Sequence, residues 1–187
     1  MKSLFAFLAL LIGLPLSAEM SPVWFAGQGG VYQAAFDSSD GSLSEAELAV
    51  EFGSGSWLEH HPSLPIIYSS WRSNAESGLA ALQVNAGGAA HIIDQITLPL
   101  SSPAHFGLSP DGKLIATAHY GSESTALVSL KSDGHFDQVE QIFKHEGSGP
   151  HRVQTQSRPH AANFNRDGTM LHVTDLGSDE IWTFKVD

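Results

Sequence analysis

The chain has 187 residues, no cysteine and a formal net charge of −11, with 9 Lys and Arg against 20 Asp and Glu. Disulfide frameworks, thiolate zinc sites and cysteine nucleophiles are thereby excluded. No basic cluster offers a face to nucleic acid, and so acidic a chain is not drawn to anionic lipid.

The first 18 residues read as a secretory signal. Lys2 supplies a short positive region, and Leu4 to Leu16 is an apolar run too short to span a bilayer. Pro15 interrupts the run, and Ser17-Ala18 offers small residues for cleavage after Ala18. The expectation is export to a periplasm or the exterior, with residues 19–187 as the mature domain.

Beyond the signal the pattern is one of short apolar strands punctuated by Asp-Gly turns at Asp40-Gly41, Asp111-Gly112, Asp133-Gly134 and Asp167-Gly168. Residues 44–52 (SEAELAVEF) have helix-forming composition but follow one of these turns, and they are read as an outer strand. Residues 126–130 and 181–186 also read as strands. Three segments repeat. Ser56 to Pro62 leads into Ile66-Ile67-Tyr68, Ala104 to Lys113 into Leu114-Ile115-Ala116, and His160 to Thr169 into Met170-Leu171-His172. Their turn positions Pro62, Pro110 and Arg166 lie 48 and 56 residues apart, the period of a four-stranded propeller blade. The fold class predicted is all-β, a β-propeller of four-stranded antiparallel blades. At about 45–50 residues per blade the mature chain supplies three blades and part of another, too few to close a ring, so the expectation is either a partial sequence or a chain that must pair with something else. Trp24, Trp57, Trp71 and Trp182 are expected to pack between blades.

Several stretches, in order, resemble the lactonase family of seven-bladed propellers, which includes 6-phosphogluconolactonases. Gly29-Gly30-Val31-Tyr32, Phe36-Asp37 and Gly41-Ser42-Leu43 are similar to its opening strands. Pro103-Ala104-His105, Ser109-Pro110-Asp111-Gly112 and Tyr120-Gly121-Ser122 are similar to one blade. His145-Glu146-Gly147-Ser148-Gly149-Pro150, Pro159-His160-Ala161 and Val173-Thr174-Asp175-Leu176-Gly177-Ser178-Asp179 are similar to the next. The resemblance implies the N-terminal portion of such a propeller, about half its length. The family's later Arg-His and Asn-Glu motifs have no counterpart here. His119 stands where the family commonly has asparagine, and Ala162 and Thr155 depart from its pattern.

Opening a lactone requires an activated water and a stabilised oxyanion. Histidine suits the first role near neutral pH, and arginine suits an anionic group on the substrate. His160 is the first candidate for acid–base work and His105, at a similar place in the preceding blade, the second. His145, Glu146, Arg152 and Arg158 are candidates for substrate binding. No metal is expected, because the ten histidines show neither H-E-x-x-H nor another ligand spacing. Adjacent His60 and His61 would face opposite sides of a strand. No G-x-S-x-G elbow occurs, and the residues of 107–113 that mimic a phosphate loop lack its Ser or Thr.

The leading expectation is therefore a cofactor-free hydrolase acting on a small sugar-derived lactone. The alternatives are a lactone-forming cycloisomerase of the same fold and an exported, non-catalytic propeller that binds a ligand or partner.

Overall fold

The computed structural model describes residues 20–186. The segment read as a signal lies outside them. Fifteen strands fall into four antiparallel sheets. The first holds β1 (Met20–Gly27), β2 (Gly30–Asp37), β3 (Ser42–Leu43) and β4 (Glu47–Glu51). The second holds β5 (Leu58–His60), β6 (Ile66–Arg72), β7 (Ser77–Val84) and β8 (Ala90–Thr97). The third holds β9 (His105–Leu108), β10 (Leu114–His119), β11 (Ser124–Leu130) and β12 (Phe136–Lys144). The fourth holds β13 (Pro159–Phe164), β14 (Met170–Asp175) and β15 (Glu180–Lys185). No helix occurs among the described residues.

Each complete sheet is a meander in which sequence neighbours pair, the arrangement of a propeller blade. The helix-like composition of residues 44–52 is overridden, and β4 pairs with β2 from Gln33↔Glu47 to Gly30↔Glu51. Gly55 N donates to Gly27 O, and Ser54 bridges Arg72 at the end of β6. The end of β1 therefore lies at the same end of the molecule as the end of β6. β1 corresponds to the second strand of a blade, and its inner edge has no hydrogen-bonded strand among the described residues.

The blades pack face to face because their central strands are apolar on both sides. In β10, Ile115 enters the core shared with the second sheet, alongside Ile66, Tyr68, Leu79 and Phe106. Ala116 and Ala118 point the other way and meet Ala162, Leu171 and Val173 of the fourth sheet. Val31, Trp71, Ala80 and Leu82 join the first sheet to the second. Trp24 and Trp182 also pack against these seams, as expected, whereas Trp57 stays 37% exposed.

All four Asp-Gly turns lie at one end of the blades, and each glycine has positive φ: Gly41 77°, Gly112 70°, Gly134 84° and Gly168 76°. That region suits glycine because it lacks Cβ. At this turn end the His61 imidazole is buried, accepting at Nδ1 from Ser63 N (3.1 Å) and Leu64 N (3.0 Å), while His60 is exposed. The opposite end carries the longer connections into each inner strand, residues 52–57, 98–104 and 145–158, and all the histidines and arginines singled out as candidates.

Candidate functional site

At this loop end each blade pins the incoming connection with a side chain near the end of its second strand. Ser70 Oγ accepts from Ser56 N (3.0 Å) and Trp57 N (3.1 Å). His119 contacts Ser101 O through Nδ1 at 2.5 Å and Thr117 Oγ1 through Nε2 at 2.7 Å. Asp175 accepts from Arg158 N (2.6 Å), Gly177 N (2.9 Å), Ser178 N (3.0 Å) and the Ser157 hydroxyl. Burial pushes the His119 imidazole down to about 4, which marks it as a neutral structural group. Burial alone would raise the Asp175 carboxyl, but the donors from Ser157, Arg158, Ser178 and Gly177 outweigh it and hold it below the usual carboxylate value.

These clips place His105 and Pro159-His160 at the starts of inner strands β9 and β13. The two histidines are not equivalent positions. His105 pairs with Ala118, and the residue in register on the fourth sheet, opposite Thr174, is Ala161. The register shifts between Pro159 and Ala161, so His160 is the additional residue of a β-bulge. A bulge re-aims the side chain it carries, and His160 is accordingly exposed.

His105 is half-buried. Its ring lies 4.2 Å from the Trp57 ring, and its Nδ1 accepts from Ala162 N at 3.3 Å. Burial, and after it the neighbouring His160, lower its pKa. A ring nitrogen that accepts a backbone N–H carries no proton, so neutral His105 holds its proton on Nε2 and is a donor there. His160 meets the Tyr120 ring edge-on at 6.0 Å. It also lines an open cavity of about 460 Å³ with Thr174, Leu176, Asp179 and Ile181. Arg158 donates through Nη1 to Tyr120 O at 3.1 Å, and its guanidinium carbon sits 4.9 Å over the Tyr120 ring. The structure thus sets Arg158 and His160 both against Tyr120, with His105, packed on Trp57, close enough to His160 to feel its charge.

The other candidates stand apart. His145 is buried at 1% exposure, its Nε2 2.8 Å from Thr125 Oγ1 and its ring edge-on to Trp182. Burial lowers its pKa, and no part of it is presented to a ligand. Glu146 and Arg152 lie exposed on the 145–158 connection. Among the described residues no group of three or more His, Asp or Glu is placed to hold a metal.

Sequence reasoning overlooked Tyr120, Trp57 as a ring partner, and Asp175. One signal for Asp175 was available. His119 to Glu123 and Asp175 to Asp179 share a Gly-Ser core at the 56-residue period, and Glu123 and Asp179 both adopt positive φ (52° and 63°).

Comparison with known proteins agrees with this architecture. Residues 14–187 match the family described as Lactonase, 7-bladed beta-propeller. The 6-phosphogluconolactonase of Bacillus subtilis is 27% identical over 162 residues, covering 86% of this chain and 46% of that protein. A probable 6-phosphogluconolactonase of Arthroderma benhamiae is 30% identical over 155 residues, covering 81% of this chain and 39% of that protein. A crystal structure of a Lactobacillus plantarum protein superposes with TM-score 0.81 at 24% identity, covering 90% of this chain and 50% of that one. The periplasmic gluconolactonase of Pseudomonas aeruginosa superposes with TM-score 0.81 at 21% identity, covering 89% and 50%. These two structures support the propeller fold. The chain spans about half the length, or less, of the curated relatives it matches.

Proposed function

Since the chain belongs to the seven-bladed β-propeller lactonase family, we propose that it forms part of a hydrolase that opens a sugar-derived lactone. The observation that carries this reading is the pairing of two histidines with different environments at one end of adjoining inner strands. His105 is locked as a neutral Nε2–H donor, and His160 is exposed on a bulge beside it.

The division of labour follows from those environments. His160 takes a proton from water as the water oxygen attacks the lactone carbonyl carbon. The carbonyl oxygen becomes an oxyanion, and the Nε2–H of His105 donates to it. The tetrahedral intermediate collapses, the bond from the acyl carbon to the ring oxygen breaks, and protonated His160 returns its proton to the leaving oxygen. The product is the open hydroxy acid. Arg158, set by Asp175 and Tyr120, supplies positive charge to the same region. Glu146 and Arg152, on the exposed connection, remain in reach of solvent and are proposed as outer contacts for substrate. His145 serves as packing for that connection. The apolar stretch ending at Ala18 supports export of the mature protein.

The test is lactone opening by the complete protein that carries this chain, followed by acid release. His160→Ala lowers kcat by about 10²–10⁴, the usual contribution of a general acid–base group. Undiminished turnover in that variant removes His160 from the mechanism. A complete protein that opens no sugar lactone but binds one supports the non-catalytic alternative.

A further inference from the structure

We infer that Trp57, held by Glu59, is the residue that positions His105: its indole fixes the plane of the imidazole whose Nε2–H serves the lactone carbonyl oxygen. The catalytic use of that plane rests on the lactonase reading. The clamp itself does not, and it is tested apart from turnover.

Trp57 and His105 occupy corresponding places in the second and third sheets, 48 residues apart. Trp57 directly precedes inner strand β5, and His105 opens inner strand β9. Their backbones are fastened before either ring is placed. Trp57 N donates to Ser70 Oγ (3.1 Å), and Trp57 O accepts from Ser70 N (3.1 Å), which locks the residue onto β6. Ser56 Oγ donates to Pro103 O at 3.0 Å, so the connection entering β5 is tied to the one entering β9.

The indole is then aimed. Residues two apart on an extended strand share a face, and Trp57 Nε1 donates to Glu59 Oε1 at 3.1 Å. Leu58, between them, points the other way, into the core that joins the first and second sheets. The charge of a carboxylate makes it the stronger kind of acceptor, so Glu59 holds the indole turned toward the third sheet. There the Trp57 and His105 ring centroids are 4.2 Å apart, with the planes tilted by 39°. That is closer than the usual aromatic spacing of about 4.5–7 Å, so the indole covers one face of the imidazole.

His105 needs that contact. Its other fixed point is Ala162 N, which donates to Nδ1 at 3.3 Å, a long hydrogen bond. The close approach of β13 that permits the bond depends on Gly107, where a Cβ would come within 2.6 Å of Ala162 O. The bond decides which nitrogen carries the proton, but a single contact at one ring atom leaves the imidazole free to swing about it. The indole removes that swing. The two contacts therefore act separately: Ala162 selects Nε2–H, and Trp57 sets the direction in which it points. A donor stabilises an oxyanion only when it is already aimed at the place where charge develops. A misplacement of about 1 Å costs as much as 10²-fold in rate.

The experiment compares Trp57→Ala, Trp57→Phe, Glu59→Ala and Glu59→Gln in the complete protein, with circular dichroism to show that each is folded. Proton NMR of the His105 ring, assigned by loss of its signals in His105→Gln, reads the clamp. In the wild type the indole ring current moves the His105 Hε1 and Hδ2 signals upfield. Trp57→Ala abolishes that shift and Glu59→Ala reduces it, while Glu59→Gln, whose amide oxygen still accepts from the indole, retains it. Signals unmoved in Trp57→Ala, or a shift intact in Glu59→Ala, overturn the clamp. Turnover of an uncharged lactone reads its use. Trp57→Ala lowers kcat about tenfold to a hundredfold and leaves KM within about twofold. Trp57→Phe, which keeps a ring but loses the anchor, falls between Trp57→Ala and wild type, and Glu59→Gln stays within about twofold of wild type. An unchanged kcat in Trp57→Ala, or a loss confined to KM, overturns the positioning role. A protein that opens no lactone retires the lactonase reading, and the His105 signals still decide the clamp.

Discussion

The backbone nitrogen of Ala162 stands 3.3 Å from Nδ1 of His105 and donates to it across the seam between β9 and β13. That single contact decides which proton His105 can use. Protonating the ring would set an Nδ1–H against the Ala162 N–H, and burial followed by the neighbouring His160 already disfavours the cation. Nitrogen-detected NMR of the complete protein is expected to show His105 as the Nε2–H tautomer throughout pH 7–8. An Nδ1–H tautomer would sink the proposed donor role. His105→Gln, which retains an N–H donor, keeps more activity than His105→Ala, whose loss is expected to be about 10²–10³ in kcat, the usual effect of deleting an oxyanion donor.

His119 should dominate the acid sensitivity of the fold. Its pKa is about 4 in the folded chain, below the ordinary 6.5, because it is buried. Below pH 6.5 the unfolded chain binds a proton that the native state refuses. Stability is therefore fully present above the ordinary value and falls as pH drops from 6.5 toward 4. His105 and His145, also lowered by burial, act in the same direction. Urea unfolding at pH 7 and pH 5 is expected to differ by roughly 2 kcal/mol through His119 alone. His119→Asn removes that part of the slope while retaining an amide able to reach Ser101 O. An unchanged slope in the variant would show that His119 titrates normally.

The strands and turns of this fold were legible because their determinants are local. Asp111-Gly112 needs positive φ only at its own glycine, and β10 and β11 announce themselves by the short apolar runs Leu114-Ile115-Ala116 and Ala126-Leu127-Val128. The site was legible only in part. His105 and His160 carry a visible Pro-His spacing, but their inequivalence arises from a bulge, which exists only when β13 pairs with β14. Trp57 reaches His105 from 48 residues away, and Arg158 reaches Tyr120 from 38. No periodicity within either segment encodes such meetings. The burial of His145 was not legible from its neighbours Glu146-Gly147-Ser148-Gly149, which are polar and flexible in composition. Its own ring, however, finds a closed slot between Thr125 and Trp182.

The seam between the second and third sheets should set much of the stability. Ile115 is 0% exposed and packs with Leu79, Phe106 and Val128, all themselves buried. Ile115→Ala removes three carbons from a site whose neighbours belong to different strands and cannot easily collapse onto the gap. A loss of about 2–5 kcal/mol in denaturant unfolding is expected. By contrast, Ile181→Ala on β15, 67% exposed, should change stability by no more than about 0.5 kcal/mol. Equal effects at the two positions would contradict the blade packing described.

Asp175 ties the stability of the loop end to the proposed role of Arg158, whose backbone N–H it accepts. Its carboxylate receives four donors, from Ser157, Arg158, Gly177 and Ser178, within one tight connection. Gly177 is required beneath it, since a Cβ there would come within 1.9 Å of Gln156 O. Asp175→Asn preserves shape but removes the charge and turns one oxygen into a donor that faces other donors. Hydrogen bonds to a charged group contribute about 1.5–3 kcal/mol, so a loss of that order in unfolding free energy is expected. The sign with pH is also fixed. A carboxyl held below its ordinary value contributes stability above that value and loses it as pH falls through the folded pKa. The wild-type advantage over Asp175→Asn should therefore persist at pH 5 and shrink below about pH 4. If Asp175 only braces the fold, KM for an anionic lactone will be unchanged in the folded variant. If it also sets Arg158, KM will rise along with the loss of stability, and Asp175→Glu, which keeps the charge at a longer reach, will recover the stability more fully than the KM.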